Sequence, residues 1–146
     1  MKKTHIALLV LLTIVFNIFS WYIPYYSAQK AAEKYLIALR DNDLATLNDL
    51  STDTHQVTIR NIGIVNGVRG WEFKARERLH YDTRDKSRGN SVDYVIRILL
   101  DMTIVDKSGV EIHKDYQLIT YGYCGKVFGE IVPYFLVSSL GEIGTR

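Results

Sequence analysis

An unbroken apolar run, Ile6 to Ile23, lies just behind Lys2 and Lys3 and is interrupted only by Thr13, Asn17 and Ser20. As a helix those residues span roughly 27 Å at ~1.5 Å per residue, close to the ~30 Å hydrocarbon core of a bilayer. A secretory signal has a shorter apolar region and a small-x-small cleavage site. Here Ile18-x-Ser20 is a poor match, and cleavage after Ala28 puts the bulky Tyr26 at the third position back. No cysteine directly follows the run, which excludes lipoprotein processing. Trp21, Tyr22, Tyr25 and Tyr26 cluster at its far end, as aromatic rings do in the headgroup zone. The expectation is a retained anchor over residues 1–26, contacting the lipid bilayer through residues 6–23. Lys2 and Lys3 then stay inside and residues 27–146 form the outer domain of a single-pass protein of the bacterial cytoplasmic membrane. The alternatives are secretion after cleavage and a buried core helix. Pro24 is expected to end or bend the anchor helix, with Ser27 capping the next one.

The remaining 120 or so residues suffice for one hydrophobic core without disulfide staples. Lys2 and Lys3 account for the whole net charge of +2, leaving 16 basic against 16 acidic side chains. Such a neutral domain lacks the field that holds a polyanion, so nucleic acid is not an expected partner. The single cysteine, Cys124, permits no internal disulfide. With the four histidines scattered, no zinc spacing is present. No metal or cofactor is expected.

Ala28, Ala31, Ala32, Tyr35, Leu36 and Leu39 make one apolar stripe at helical spacing, ending near Arg40. Asp43 can cap a short helix through Leu50. Gln56 to Val65 reads as a strand with a bulge near Asn61, and Asn66-Gly67 as a turn. Gly70 to His80 is open: Trp71, Ala75 and Leu79, at i, i+4 and i+8, favour a short helix, while Arg78 to Thr83 reads alternatively as the start of a strand. The clearest pattern is the alternation Val92, Tyr94, Ile96, Ile98, Leu100, Met102, Ile104, a long strand with one apolar face. Asp106 to Gly109 is a hairpin turn, Val110 to Tyr123 the returning strand, and Lys126 to Val132 a further strand. Residues 133–140 read as strand or helix alike. Two helices ahead of an antiparallel meander give an α+β class, with helices on one face of a curved sheet.

"AAEKYLIALRDNDLATLNDLS" (Ala31 to Ser51) and "VDYVIRILLDMTIVDKSGVEIHKDYQLITY" (Val92 to Tyr121) resemble the opening helices and long hairpin of the nuclear transport factor 2-like, or cystatin-like, α+β cone superfamily. One departure is "GKVFGEI" (Gly125 to Ile131), where many members carry a Trp. The resemblance implies a cone-type sheet wrapped around the first helix, its mouth a pocket in the enzymes and filled in other members. It also implies relatives tethered in bacterial envelopes, some of them inner-membrane parts of type IV secretion machines. The Asn-Pro-x-Gly turn common in those parts is absent here.

Isomerase- or dehydratase-like chemistry in such a cone needs a carboxylate or His base in an apolar pocket and a Tyr or protonated acid to hold an oxyanion. The candidates are Asp101, His80, His113 and Tyr116, with Asp115, Tyr94 and Tyr121 beside them. Glu111, His113 and Asp115 alternate along one strand face, the pattern of a solvated surface. Between Arg69 and Arg88 seven basic residues face four acidic ones. Arg76, Arg84 and Arg88 are candidates for contact with anionic headgroups or an acidic partner. Tyr134 and Phe135 lie in an apolar stretch that suits either core or a docking edge. The expected function is a membrane-tethered, non-enzymatic protein-binding or assembly module, an accessory subunit of an envelope complex working with other membrane or envelope proteins or as a homo-oligomer. The alternatives are a small-molecule binder or isomerase/dehydratase-like enzyme using the cone pocket, and a type IV secretion inner-membrane component.

Overall fold

The structure, a computed structural model, describes residues 2–62, 66–79, 86–87, 90–92, 94–123 and 134–144, with 61, 62, 86, 87, 90 and 91 described by backbone alone. The chain is α+β. It consists of α1 (Lys2–Arg40), α2 (Leu44–Asp49), α3 (Asp53–Ile62), β1 (Val68–Leu79), the two-residue β2 (Lys86–Ser87) and β3 (Asn90–Ser91), β4 (Tyr94–Val105), β5 (Glu111–Tyr123) and β6 (Tyr134–Glu142). β1, β4, β5 and β6 form an open antiparallel sheet in that order, and β2 pairs with β3.

α1 is one helix of 39 residues, about 58 Å long. The helix neither ends at Pro24 nor starts anew at Ser27. Proline removes the N–H that would return to the Ser20 carbonyl and crowds that carbonyl with its ring, yet the helix carries on with Pro24 inside it. The two halves of α1 live in different surroundings. The apolar window of its first half is wholly uncovered by the rest of the chain, and this stretch is long and apolar enough to cross a membrane or to serve as a signal sequence. Beyond Pro24, the stripe Ala28, Ala32, Tyr35, Leu36 and Leu39 is buried against Ile96, Ile98, Leu100, Met102, Tyr116 and Leu118 of the sheet. The small alanines let helix and sheet approach closely, while Tyr35, Leu36 and Leu39 fill the space between them.

Asp43 caps α2 as expected, its carboxylate accepting from the Thr46 amide at 3.2 Å and the Thr46 hydroxyl at 2.6 Å. These bonds favour the ionised form and hold its carboxyl below the usual range. Residues 53–62 form a helix, not the expected strand. Thr52 Oγ1 accepts from the His55 amide at 3.3 Å at the start of α3, where Asp53 sits in the first turn. The β-branched residues that mimic a strand are in part solvent-facing, Val57 among them. Residues 50–52 run along β6: the Val137 amide donates to Leu50 O at 2.7 Å and the Thr52 amide to Val137 O at 2.9 Å. They cover part of a sheet edge that would otherwise offer unpaired backbone groups.

Residues 68–79 are likewise a strand, not a helix. The ladder to β4 slips between Val68 and Gly70 and again between Phe73 and Ala75. The second slip explains the misleading spacing. Trp71 and Phe73 stand opposite Met102 and Leu100 on the helix side; past the slip, Arg76 and Arg78 stand opposite Ile98 and Ile96 on that same side. The β4–β5 hairpin follows the expected alternation throughout, from Tyr94↔Gly122 to Val105↔Glu111. Asp106 Oδ1 accepts from the Ser108 and Val110 amides in its turn. Residues 134–142 resolve the open choice as strand. The strand expected at 126–132 lies outside the described residues, as do Cys124, His80, Arg84 and Arg88.

Candidate functional site: an arginine–aromatic collar where the helix leaves the sheet

Of the candidate catalytic residues, Asp101, His113 and Tyr116 do not converge, and His80 lies outside the described residues. Asp101 and His113 meet on the solvent face of the sheet, His113 Nδ1 lying 3.3 Å from Asp101 Oδ1 and 3.3 Å from Thr103 Oγ1, with His113 largely exposed. Beside them Lys74 donates to Asp115 at 2.7 Å, which holds the lysine's pKa above its ordinary value. Tyr116 projects from β5 toward the opposite, helix-facing side, where it is buried. Its hydroxyl is pushed up by that burial and by Glu142. Tyr121 joins Leu79, Val95, Ile119, Tyr123 and Leu136 in a small second cluster on the solvent side, and Tyr94 faces α1. Asp101 or His113 as base and Tyr116 as oxyanion holder, on opposite faces of one sheet, cannot act on one substrate. Among the described residues, no three His, Cys, Asp or Glu side chains gather closely enough to hold a metal ion.

One buried polar pair lies inside the domain. The Tyr35 hydroxyl is 2.8 Å from His55 Nε2, tying α1 to α3. Burial pushes the Tyr35 phenol well above its ordinary range and the His55 imidazole below its ordinary value. Both shifts favour the neutral pair.

The charged and aromatic residues come together at the other end of the helix–sheet interface, where α1 leaves the sheet. Arg76 Cζ lies 5.8 Å from the Tyr22 ring centre and 6.0 Å from that of Tyr25. Arg78 Cζ lies 4.8 Å above Tyr94, and Tyr94 packs on Phe135 at 6.2 Å across Gly122. Trp21 and Tyr25 are 5.4 Å apart, Tyr22 and Tyr26 6.1 Å, and Lys30 sits over Tyr26 at 5.6 Å. A cavity of about 420 Å³ opens here, lined by Trp21, Tyr22, Tyr25, Lys74, Ala75 and Arg76. An adjoining one of about 250 Å³ is lined by Ser20, Pro24, Arg78 and Tyr94 among others. Among the described residues, no carboxylate lies within ion-pair reach of Arg76 or Arg78.

The aromatic rim was legible from composition and position. The arginines that meet it were not singled out as its partners, because only the slip at Lys74 turns them to the helix side. Of the docking candidates, Tyr134 is partly exposed and stacks on Tyr123 at 5.2 Å, whereas Phe135 is buried. No family model, curated protein or solved structure matches the chain, so the functional reading rests on the chemistry of its own residues.

Proposed function

We propose that the chain is a membrane-tethered extracytoplasmic α+β module of the nuclear transport factor 2-like, cone-type kind. In this reading it serves as a non-enzymatic protein-binding or assembly subunit of an envelope complex. The observation that carries the reading is the division of α1. Its first half exposes an apolar surface with no covering inside the chain, its second half is the core helix of the domain, and the boundary is marked by Trp21, Tyr22, Tyr25 and Tyr26. A continuous helix joining anchor to core holds the domain at a fixed height above the membrane, which suits a part positioned within an assembly. The filling of the helix–sheet interior by Tyr35, Leu36 and Leu39 supports binding through the surface over chemistry in a pocket. Purification of the full chain from membranes in mild detergent is expected to bring a second envelope protein in fixed stoichiometry, or to give a homo-oligomer. A lone monomer that turns over a small molecule would overturn the assembly reading.

A further inference from the structure

We propose that Arg76 and Arg78, with Tyr22, Tyr25 and Tyr94, form a binding site for the phosphate of an anionic phospholipid headgroup, fixing the membrane-facing end of the sheet against the bilayer. The inference rests on α1 being a membrane anchor. It commits to lipid because Trp21 and Tyr22, which line the same cavity, project from the last apolar turns of that anchor, at the depth where headgroups lie.

The geometry suits phosphate. An arginine stacked on a ring spends one face of its plane on the aromatic and keeps its five in-plane N–H donors for oxygen acceptors. Arg76 and Arg78 are two positions apart on one strand and share one face, so their side chains start roughly 7 Å apart. Guanidiniums at that spacing, each braced by tyrosine, can donate to different oxygens of one phosphodiester with little further loss of freedom. Among the described residues no carboxylate competes for either one, and the two guanidiniums carry positive charge. Lys74, on the cavity wall, is engaged by Asp115 and adds little. Ser20 lines the adjoining cavity. The slip at Lys74 is what builds the site: in unbroken register Arg76 and Arg78 would face away from α1.

Trp21 reports on the site directly, since the chain has two tryptophans and Trp71→Phe leaves Trp21 as the only emitter. The full chain carrying Trp71→Phe is reconstituted in phosphatidylcholine vesicles doped with brominated phosphatidylglycerol or, separately, brominated phosphatidylcholine. The expected result is preferential quenching by the anionic lipid, corresponding to roughly threefold to tenfold enrichment for two exposed arginines. Arg76→Gln with Arg78→Gln is expected to abolish the preference, and Lys107→Gln, at the exposed β4–β5 turn, to leave it. Equal quenching by the two lipids, or a preference that survives the double substitution, would overturn the site. So would loss of the preference on adding inorganic phosphate at constant ionic strength, because the ligand would then be the free ion. A protein stripped from the vesicles by alkaline wash contradicts the anchor reading, whereas an embedded protein without lipid preference contradicts only the headgroup site.

Discussion

Replacing Tyr35 by Phe removes one oxygen and little else. The ring is 1% exposed and Phe fills the same volume, so packing of α1 on the sheet is retained. What is lost is the 2.8 Å bond to His55 Nε2, which leaves a buried nitrogen without its partner. Such an orphan costs about 1–3 kcal/mol, or a Tm lower by about 3–15 °C in a chain of this size. The same pair sets a pH dependence. His55 is held below its ordinary value of 6.5 in the folded state. The unfolded chain therefore takes up a proton first as pH falls, so stability is complete above about pH 6.5 and declines below it. His55→Gln removes the titrating group and is expected to flatten that decline between pH 7 and 5. Thermal unfolding of the full chain in a non-ionic detergent, followed by near-UV circular dichroism, reads both effects. A Tyr35→Phe protein as stable as the parent, or an unchanged pH slope in His55→Gln, would refute the reasoning.

Gly122→Ala places a methyl group 2.5 Å from the Phe135 ring and 3.0 Å from Tyr94 Cβ; overpacking of this kind costs about 1–3 kcal/mol and disturbs the platform under Arg78, measurable by unfolding and by weakened anionic-lipid preference. Leu36→Ala, at a fully buried core position, is expected to cost about 2–5 kcal/mol, whereas Leu12→Ala on the uncovered half of α1 leaves the Tm of the domain in detergent nearly unchanged. Asp101→Asn and His113→Gln, on the solvent face, are expected to stay within about 0.5 kcal/mol of the parent in the same assay.

The parts of the fold readable from sequence are those where one periodicity runs unopposed. The alternation from Tyr94 to Ile104 is uninterrupted, and the paired strand returns through a turn whose Asp and Gly announce it. α3 was not legible because Val57, Ile59 and Ile62 imitate a strand; its start at Thr52 and Asp53 and the burial of His55 become visible only against Tyr35, 20 residues earlier. β1 was misleading for a different reason. An extra residue at Lys74 breaks the two-residue period, and the spacing of Trp71, Ala75 and Leu79 then counterfeits a helix. Pro24 suggests an end or a bend because its missing N–H is a local signal, while α1 continues through it to a second half packed on the sheet. The rim of the collar was legible in Trp21 to Tyr26. Its cations were not paired with it, since a slipped register over 50 residues away in sequence decides where Arg76 and Arg78 point.

The central claim is that α1 is both anchor and core helix of one intact chain. The most direct measurement is the intact mass of the protein extracted from alkaline-washed membranes, combined with protease accessibility from the extracytoplasmic side. The account predicts a chain that keeps its first 26 residues, resists the alkaline wash, and loses its sheet domain to protease added outside. A soluble protein whose mass places its first residue near Trp21 would contradict it.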